Sequence, residues 1–187
     1  NTGNRTKLME TSDDINRTDS NLSLNNLYLV GFMAAGKTTL ARALGKHLGW
    51  STEDIDDLIE LQEGSGIAAI FDRRGEAYFR SVERGVLHKL LPKQGIVVAT
   101  GGGTFVDPDN RAQINRSGRS IWLDVPLDVI LQRLPPNRHR PLAVDRKEIA
   151  QLYKTRCAAY SQAHLRLDAS QASLGELVKQ TVKWLEP

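Results

Sequence analysis

Eight residues constrain this chain more than all the others. Gly31-Phe32-Met33-Ala34-Ala35-Gly36-Lys37-Thr38 meets the spacing G-x-x-x-x-G-K-[ST] at every fixed position. The apolar run Leu27-Tyr28-Leu29-Val30 precedes the motif, and apolar residues recur at helical spacing after it, so it joins a strand to a helix. In that setting the glycines let the backbone wrap with its N–H groups turned toward an anion, and the helix aims the positive end of its dipole at the same point. Gly31, Ala34, Ala35, Gly36, Lys37, Thr38 and Thr39 then read as a cradle for the phosphates of ATP. Lys37 would reach the β- and γ-phosphates, and the Thr38 hydroxyl would ligate Mg²⁺. A glycine-rich turn that only caps a helix is the competing reading, and the matched context disfavours it.

The rest of the chain alternates strand and helix. Strands are predicted near 51–55, over 95–100, over 120–125 and over 165–170. Helices are predicted over 56–64, 67–91, 127–134, 149–163 and 174–185. This alternation implies an α/β fold, a parallel sheet with helices on both faces, in which ligands bind beyond the carboxyl ends of the strands. Residues 1–26 are rich in Asn, Thr, Ser and Asp and read as a flexible tail, leaving 27–187 as one domain. The proline- and arginine-rich stretch that begins at Pro135 reads as a mobile loop, a lid over about 136–150.

Composition narrows the partners. With 25 basic and 22 acidic residues the formal charge is +3, too balanced for wholesale nucleic-acid binding. No apolar run approaches the roughly 20 residues that span a bilayer. Cys157 is the single cysteine, which excludes an intramolecular disulfide and fits a reducing, cytoplasmic compartment. The chain starts at Asn1 rather than at a methionine, which leaves room for a leader or a domain upstream.

Acceptor chemistry is expected where the second strand ends. Residues i and i+2 of a strand share a face, so Asp54 and Asp56 are expected to point together into the site, one toward Mg²⁺ and one toward an attacking hydroxyl. An acidic helix start is the alternative. Gly101-Gly102-Gly103 follows a buried strand and predicts close backbone approach to an acceptor. Arg80 and Arg156 carry planar forks suited to a carboxylate, with Glu83 one helical turn from Arg80 to orient it. Arg133, Arg138 and Arg140 form a dense basic cluster, and an arginine on a closing loop would offset charge on a transferring phosphoryl group. The four histidines show no metal-ligand spacing.

Taken in order, GFMAAGKTT, DIDDLIE, IFDRRGEAYFRSVE, VVATGGG, RHRPL and TRCAAY resemble the shikimate kinases across residues 27–186. The resemblance implies a five-stranded parallel sheet in a three-layer α/β/α sandwich of the nucleoside-monophosphate-kinase type, a P-loop NTPase fold. It also implies ATP and Mg²⁺, and shikimate as the small-molecule acceptor, phosphorylated on its 3-hydroxyl; separately, a monomer is expected. By position it assigns Lys37, Asp56 and Arg140 to catalysis, Thr38 and Asp54 to the metal, and Arg133 and Arg140 to the nucleotide. Asp56, Arg80, Gly101, Gly102, Gly103 and Arg156 fall to shikimate. Ala34 stands where the family usually has glycine, which is expected to cost little if its φ stays negative. The lid stretch looks short. Two other readings compete: the ligand sensor of a larger regulator, and a related small-molecule kinase acting, for example, on gluconate.

Overall fold

A computed structural model describes residues 26–134 and 146–187. The residues assigned to the tail before Asn26, and the centre of the expected lid with Arg138 and Arg140, lie outside the described residues. Five strands, β1 (Asn26–Val30), β2 (Ser51–Asp54), β3 (Ile96–Ala99), β4 (Arg119–Asp124) and β5 (Leu165–Asp168), form one sheet in the order β2-β3-β1-β4-β5. Every pairing is parallel. Helices α1 (Lys37–Leu48), α2 (Ile55–Glu63), α3 (Ile67–Leu90), α4 (Pro108–Ser117), α5 (Leu127–Arg133), α6 (Arg146–Tyr160) and α7 (Leu174–Leu185) complete a three-layer sandwich. None of the described helices is long and apolar enough to cross a membrane.

The strands of a parallel sheet covered on both faces should read as continuous apolar runs, and β1 and β3 do so with every residue buried. Helix α1 lays Leu40, Ala41 and Leu44 into the core, each leucine worth roughly 2 kcal/mol in buried apolar surface. Register then does the positioning. Leu29 of β1 and Asp54 of β2 both pair with Ala99 of β3. Gly31, Asp56 and Gly101 each lie two residues beyond that common row, at the carboxyl edge.

The elements differ from expectation in four places. Asn26, assigned to the tail, is buried in β1, where its Oδ1 accepts from the Ile96 N–H at 3.2 Å and its amide donates to the Lys93 carbonyl at 2.8 Å. A polar residue reads as tail by composition, yet its amide completes the entry to the sheet. Strand β2 stops at Asp54, so Asp56 is in the first turn of α2 and not on a strand. Helix α3 breaks at Gly75, whose φ of 81° and ψ of 172° suit only glycine. Phe71 and Phe79 close this break with ring centroids 4.6 Å apart. Between the glycines and β4, where no element was expected, a 3₁₀ turn (Thr104–Val106) leads into α4. Asp107 caps that helix by accepting from the Asp109 N–H at 2.8 Å, with Pro108 at the first position.

One polar junction makes the fold sensitive to acid. The Ser120 N–H of β4 donates to His164 Nδ1 at 3.0 Å, and the His164 N–H donates to the Ser120 hydroxyl at 3.1 Å. Burial, and then Arg119, hold this imidazole below its ordinary value of 6.5. The unfolded chain therefore takes up this proton first, so the junction's contribution is whole above 6.5 and is lost as pH falls through the lower, folded value. The stability gap between the wild type and His164→Asn should narrow in acid, as read from denaturant midpoints. A constant gap would remove His164 from the pH dependence.

Candidate active site

The loop after β1 builds the first half of the site. Gly31 has φ 150°, and a Cβ there would fall 2.8 Å from the Leu123 carbonyl oxygen; Gly36 has φ 99° and caps α1. Lys37 Nζ donates to the carbonyls of Gly31 at 2.7 Å and Phe32 at 2.9 Å, so the ammonium crosses its own loop. Ala34 contradicts the expectation of a negative φ. The Ala35 N–H closes a turn on the Phe32 carbonyl at 3.2 Å, and Ala34, third in that turn, has φ 59°. Glycine is favoured at such a position because a Cβ there costs roughly 1 kcal/mol. The Arg133 guanidinium spans this turn, donating to the carbonyls of Ala34 at 3.1 Å and Ala35 at 3.2 Å. Beside it opens a cavity walled by Thr39, Leu40, Leu123, Ala172 and Leu174.

Asp54 serves two purposes at once. Its Oδ1 accepts from the Asp57 N–H at 3.1 Å, capping α2, while its Oδ2 accepts from the Thr38 hydroxyl at 2.6 Å. The helix-start reading and the metal reading of this carboxylate are thus compatible. Two hard oxygen donors meet beside the phosphate cradle, a set that suits Mg²⁺ completed by phosphate oxygens and water. Among the described residues no group of three or more His, Cys, Asp or Glu could hold a metal alone.

The second half lies between α3, α6 and the glycine loop. None of Gly101, Gly102 and Gly103 takes a positive φ; their need is steric. A Cβ on Gly101 would lie 2.8 Å from Asp56 Oδ1, one on Gly102 2.9 Å from Arg156 Nη1, and one on Gly103 2.5 Å from both terminal nitrogens of Arg80. The close approach expected at these glycines is thus made by the site's own charged side chains. Arg80 donates to Glu83 Oε1 at 2.9 Å, and the Thr104 hydroxyl donates to Glu83 Oε2 at 2.9 Å, which holds a carboxylate only 1% exposed. Arg156 is buried too, and loss of water, as the largest effect, pushes its guanidinium below its ordinary value.

Two cavities share a wall. Asp56, Met33 and Gly102 line both the cradle that holds Lys37 and Thr38 and the cavity that holds Arg80, Glu83 and Arg156. The strand-face reason for pairing Asp54 with Asp56 fails, because β2 ends at Asp54 and Asp56 is the second residue of α2, yet both carboxylates line the phosphate cradle as expected, and Asp56 also reaches this junction. Sequence reasoning missed Phe71, Phe79 and Ile67 as the apolar side of the second cavity, although their helical spacing was readable. Met33, for which the sequence analysis gives no role, lines both cavities. Nothing local marks Thr104, and although Tyr160 ends the TRCAAY stretch, its contact with Gly102 is distant in sequence.

Comparison with known proteins agrees with this geometry. The shikimate kinase family model matches residues 33–186. The chain belongs to the shikimate kinase family. A shikimate kinase of Persephonella marina is 39% identical over 158 residues, covering 84% of this chain and 96% of that protein. The structure of a shikimate kinase from Acinetobacter baumannii in complex with shikimate superposes with a TM-score of 0.82 at 34% identity, over 87% of this chain and 93% of that one. The shikimate kinase from Aquifex aeolicus gives 0.78 at 33% identity, over 86% and 95% of the two chains.

Two substitutions test the loops. Gly103→Ala meets only the flexible end of Arg80, so the chain should fold while the displaced fork weakens acceptor binding by about tenfold; an unchanged acceptor Kd by calorimetry would refute the steric role. Ala34→Gly should raise the unfolding free energy by up to about 1 kcal/mol, the relieved strain exceeding the added chain entropy. A loss of stability in denaturant would mean that the turn is not strained.

Proposed function

We propose that this chain transfers the γ-phosphoryl group of ATP to the 3-hydroxyl of shikimate, giving ADP and shikimate 3-phosphate. The observation that carries the proposal is that Asp56 lines both cavities, so one carboxylate faces the phosphate cradle and the acceptor at once. In the reaction a bond forms between the acceptor oxygen and the γ-phosphorus as the bond to the β,γ-bridging oxygen breaks. Asp56 orients the hydroxyl and takes its proton, and Lys37 exchanges its loop carbonyls for phosphate oxygens. Thr38 and Asp54 would hold Mg²⁺, which supplies charge neutralisation on the phosphates when bound. Arg133, beside the cavity next to the loop, would face the base.

Acceptor selectivity follows from the charges. The carboxylate of Glu83 already meets Arg80, while Arg156 is stripped of water beside Arg80, so an incoming carboxylate would restore solvation that burial removed. A neutral sugar alcohol or the gluconate chain offers no rigid ring to fill the Phe71, Phe79 and Ile67 side. Arg140 is proposed as the arginine that closes over the phosphates; it lies outside the described residues. We further propose a cytoplasmic monomer that uses neither nucleic acid nor membrane.

The reading is tested by shikimate-dependent ADP release from Mg-ATP. Lys37→Ala and Asp56→Asn should each lower kcat by roughly two or more orders of magnitude with thermal unfolding unchanged. Wild-type protein that is folded and releases no ADP on addition of shikimate would overturn the assignment, and would favour a sensor.

A further inference from the structure

Tyr160 closes α6 and is 1% exposed, yet it lines neither cavity. Its hydroxyl donates to the Gly102 carbonyl, and the Arg156 side chain, four residues earlier on the same helix, lies close enough for the two groups to influence each other's charge. The ring lies against Trp122 of β4, with centroids 6.1 Å apart. One hydroxyl therefore lies beside two pieces of the acceptor cavity that come from different parts of the chain, the glycine loop after β3 and the guanidinium of α6.

We propose that Tyr160 is a positioning residue for the acceptor: its hydroxyl donates to Gly102, the residue that Arg156 packs against, and so fixes the distance between the fork and the loop that grip the substrate carboxylate and ring. The proposal rests on the functional reading above. The carbonyl of Gly102 points at Tyr160, so the peptide plane there is set and the backbone surface turned toward the acceptor cannot rotate. Arg156 packs against the same residue. Its Nη1 lies 2.9 Å from where a Gly102 Cβ would be, a contact that leaves no slack between arginine and loop. Phe32 sets the other side, its ring 5.8 Å from the Arg156 guanidinium carbon. Without the hydroxyl, the Gly102 carbonyl would lose its partner and the loop would relax, carrying with it the surface that Arg156 packs against.

Tyr160→Phe keeps the ring against Trp122 and removes only the hydroxyl. The KM for shikimate should rise about tenfold, with kcat lowered much less and the KM for ATP unchanged. A loss of packing alone would lower the stability and move both substrates together. In an Arg156→Ala background the same change at Tyr160 should add little, because the group it positions is already gone. Unchanged shikimate KM in Tyr160→Phe, equal effects on both substrates, or full additivity with Arg156→Ala would each overturn the proposal. Wild-type protein that fails to bind shikimate in the parallel titration would instead overturn the functional reading itself, so the two failures are distinguishable.

Discussion

The parallel pairing of β1 with β3, and of β3 with β2, is the constraint on which the site depends. Because Leu29, Ala99 and Asp54 share one row, the chain leaves three strands at the same height. The residues two steps beyond are the first glycine of the phosphate cradle, the carboxylate between the cavities and the first glycine of the acceptor loop. A slip of one register step in either pairing would displace Asp56 by about 3.3 Å relative to Gly31 or Gly101, more than a hydrogen bond tolerates. The buried apolar runs of β1 and β3 hold the register, so the core fixes the chemistry by fixing the height of its parts.

The glycines carry the second level of design. At Gly31 and Gly36 the backbone itself adopts conformations that side chains resist. At Gly101 to Gly103 it does not, and the absent Cβ makes room for Asp56, Arg156 and Arg80. Similar sequence signals therefore answer two different physical demands. The first concerns φ, the second volume.

That difference marks how far the sequence could be read. The strand-loop-helix motif, the parallel α/β fold and the residues converging on the site were legible, because apolar runs, helical periodicity and spaced glycines are local signals. The pairing of Arg80 with Glu83 was legible for the same reason. Helix α4 was not assigned, although Asp107 and Pro108 signal its start, because its apolar content is sparse. Placement of Asp56 on a strand erred by the boundary of a four-residue element. The negative φ expected at Ala34 erred because a turn closed by hydrogen bonding outweighs the preference of one alanine. Tyr160 ends the TRCAAY stretch one helical turn from Arg156, but its bond to Gly102, 58 residues away, was not legible.

Each half of the site is internally satisfied before any ligand arrives. Lys37 rests on loop carbonyls, Thr38 on Asp54, and Arg80 on Glu83. Binding is therefore an exchange of partners, in which a ligand gains only the difference between its own contacts and those it displaces. Such exchange favours ligands that bring full charge in the right geometry. A phosphate can replace two carbonyls at Lys37, and a carboxylate can replace water lost at Arg156, whereas a neutral alcohol matches neither. Selectivity for anionic ligands then needs no excess of positive charge on the chain as a whole, consistent with its net charge of only +3.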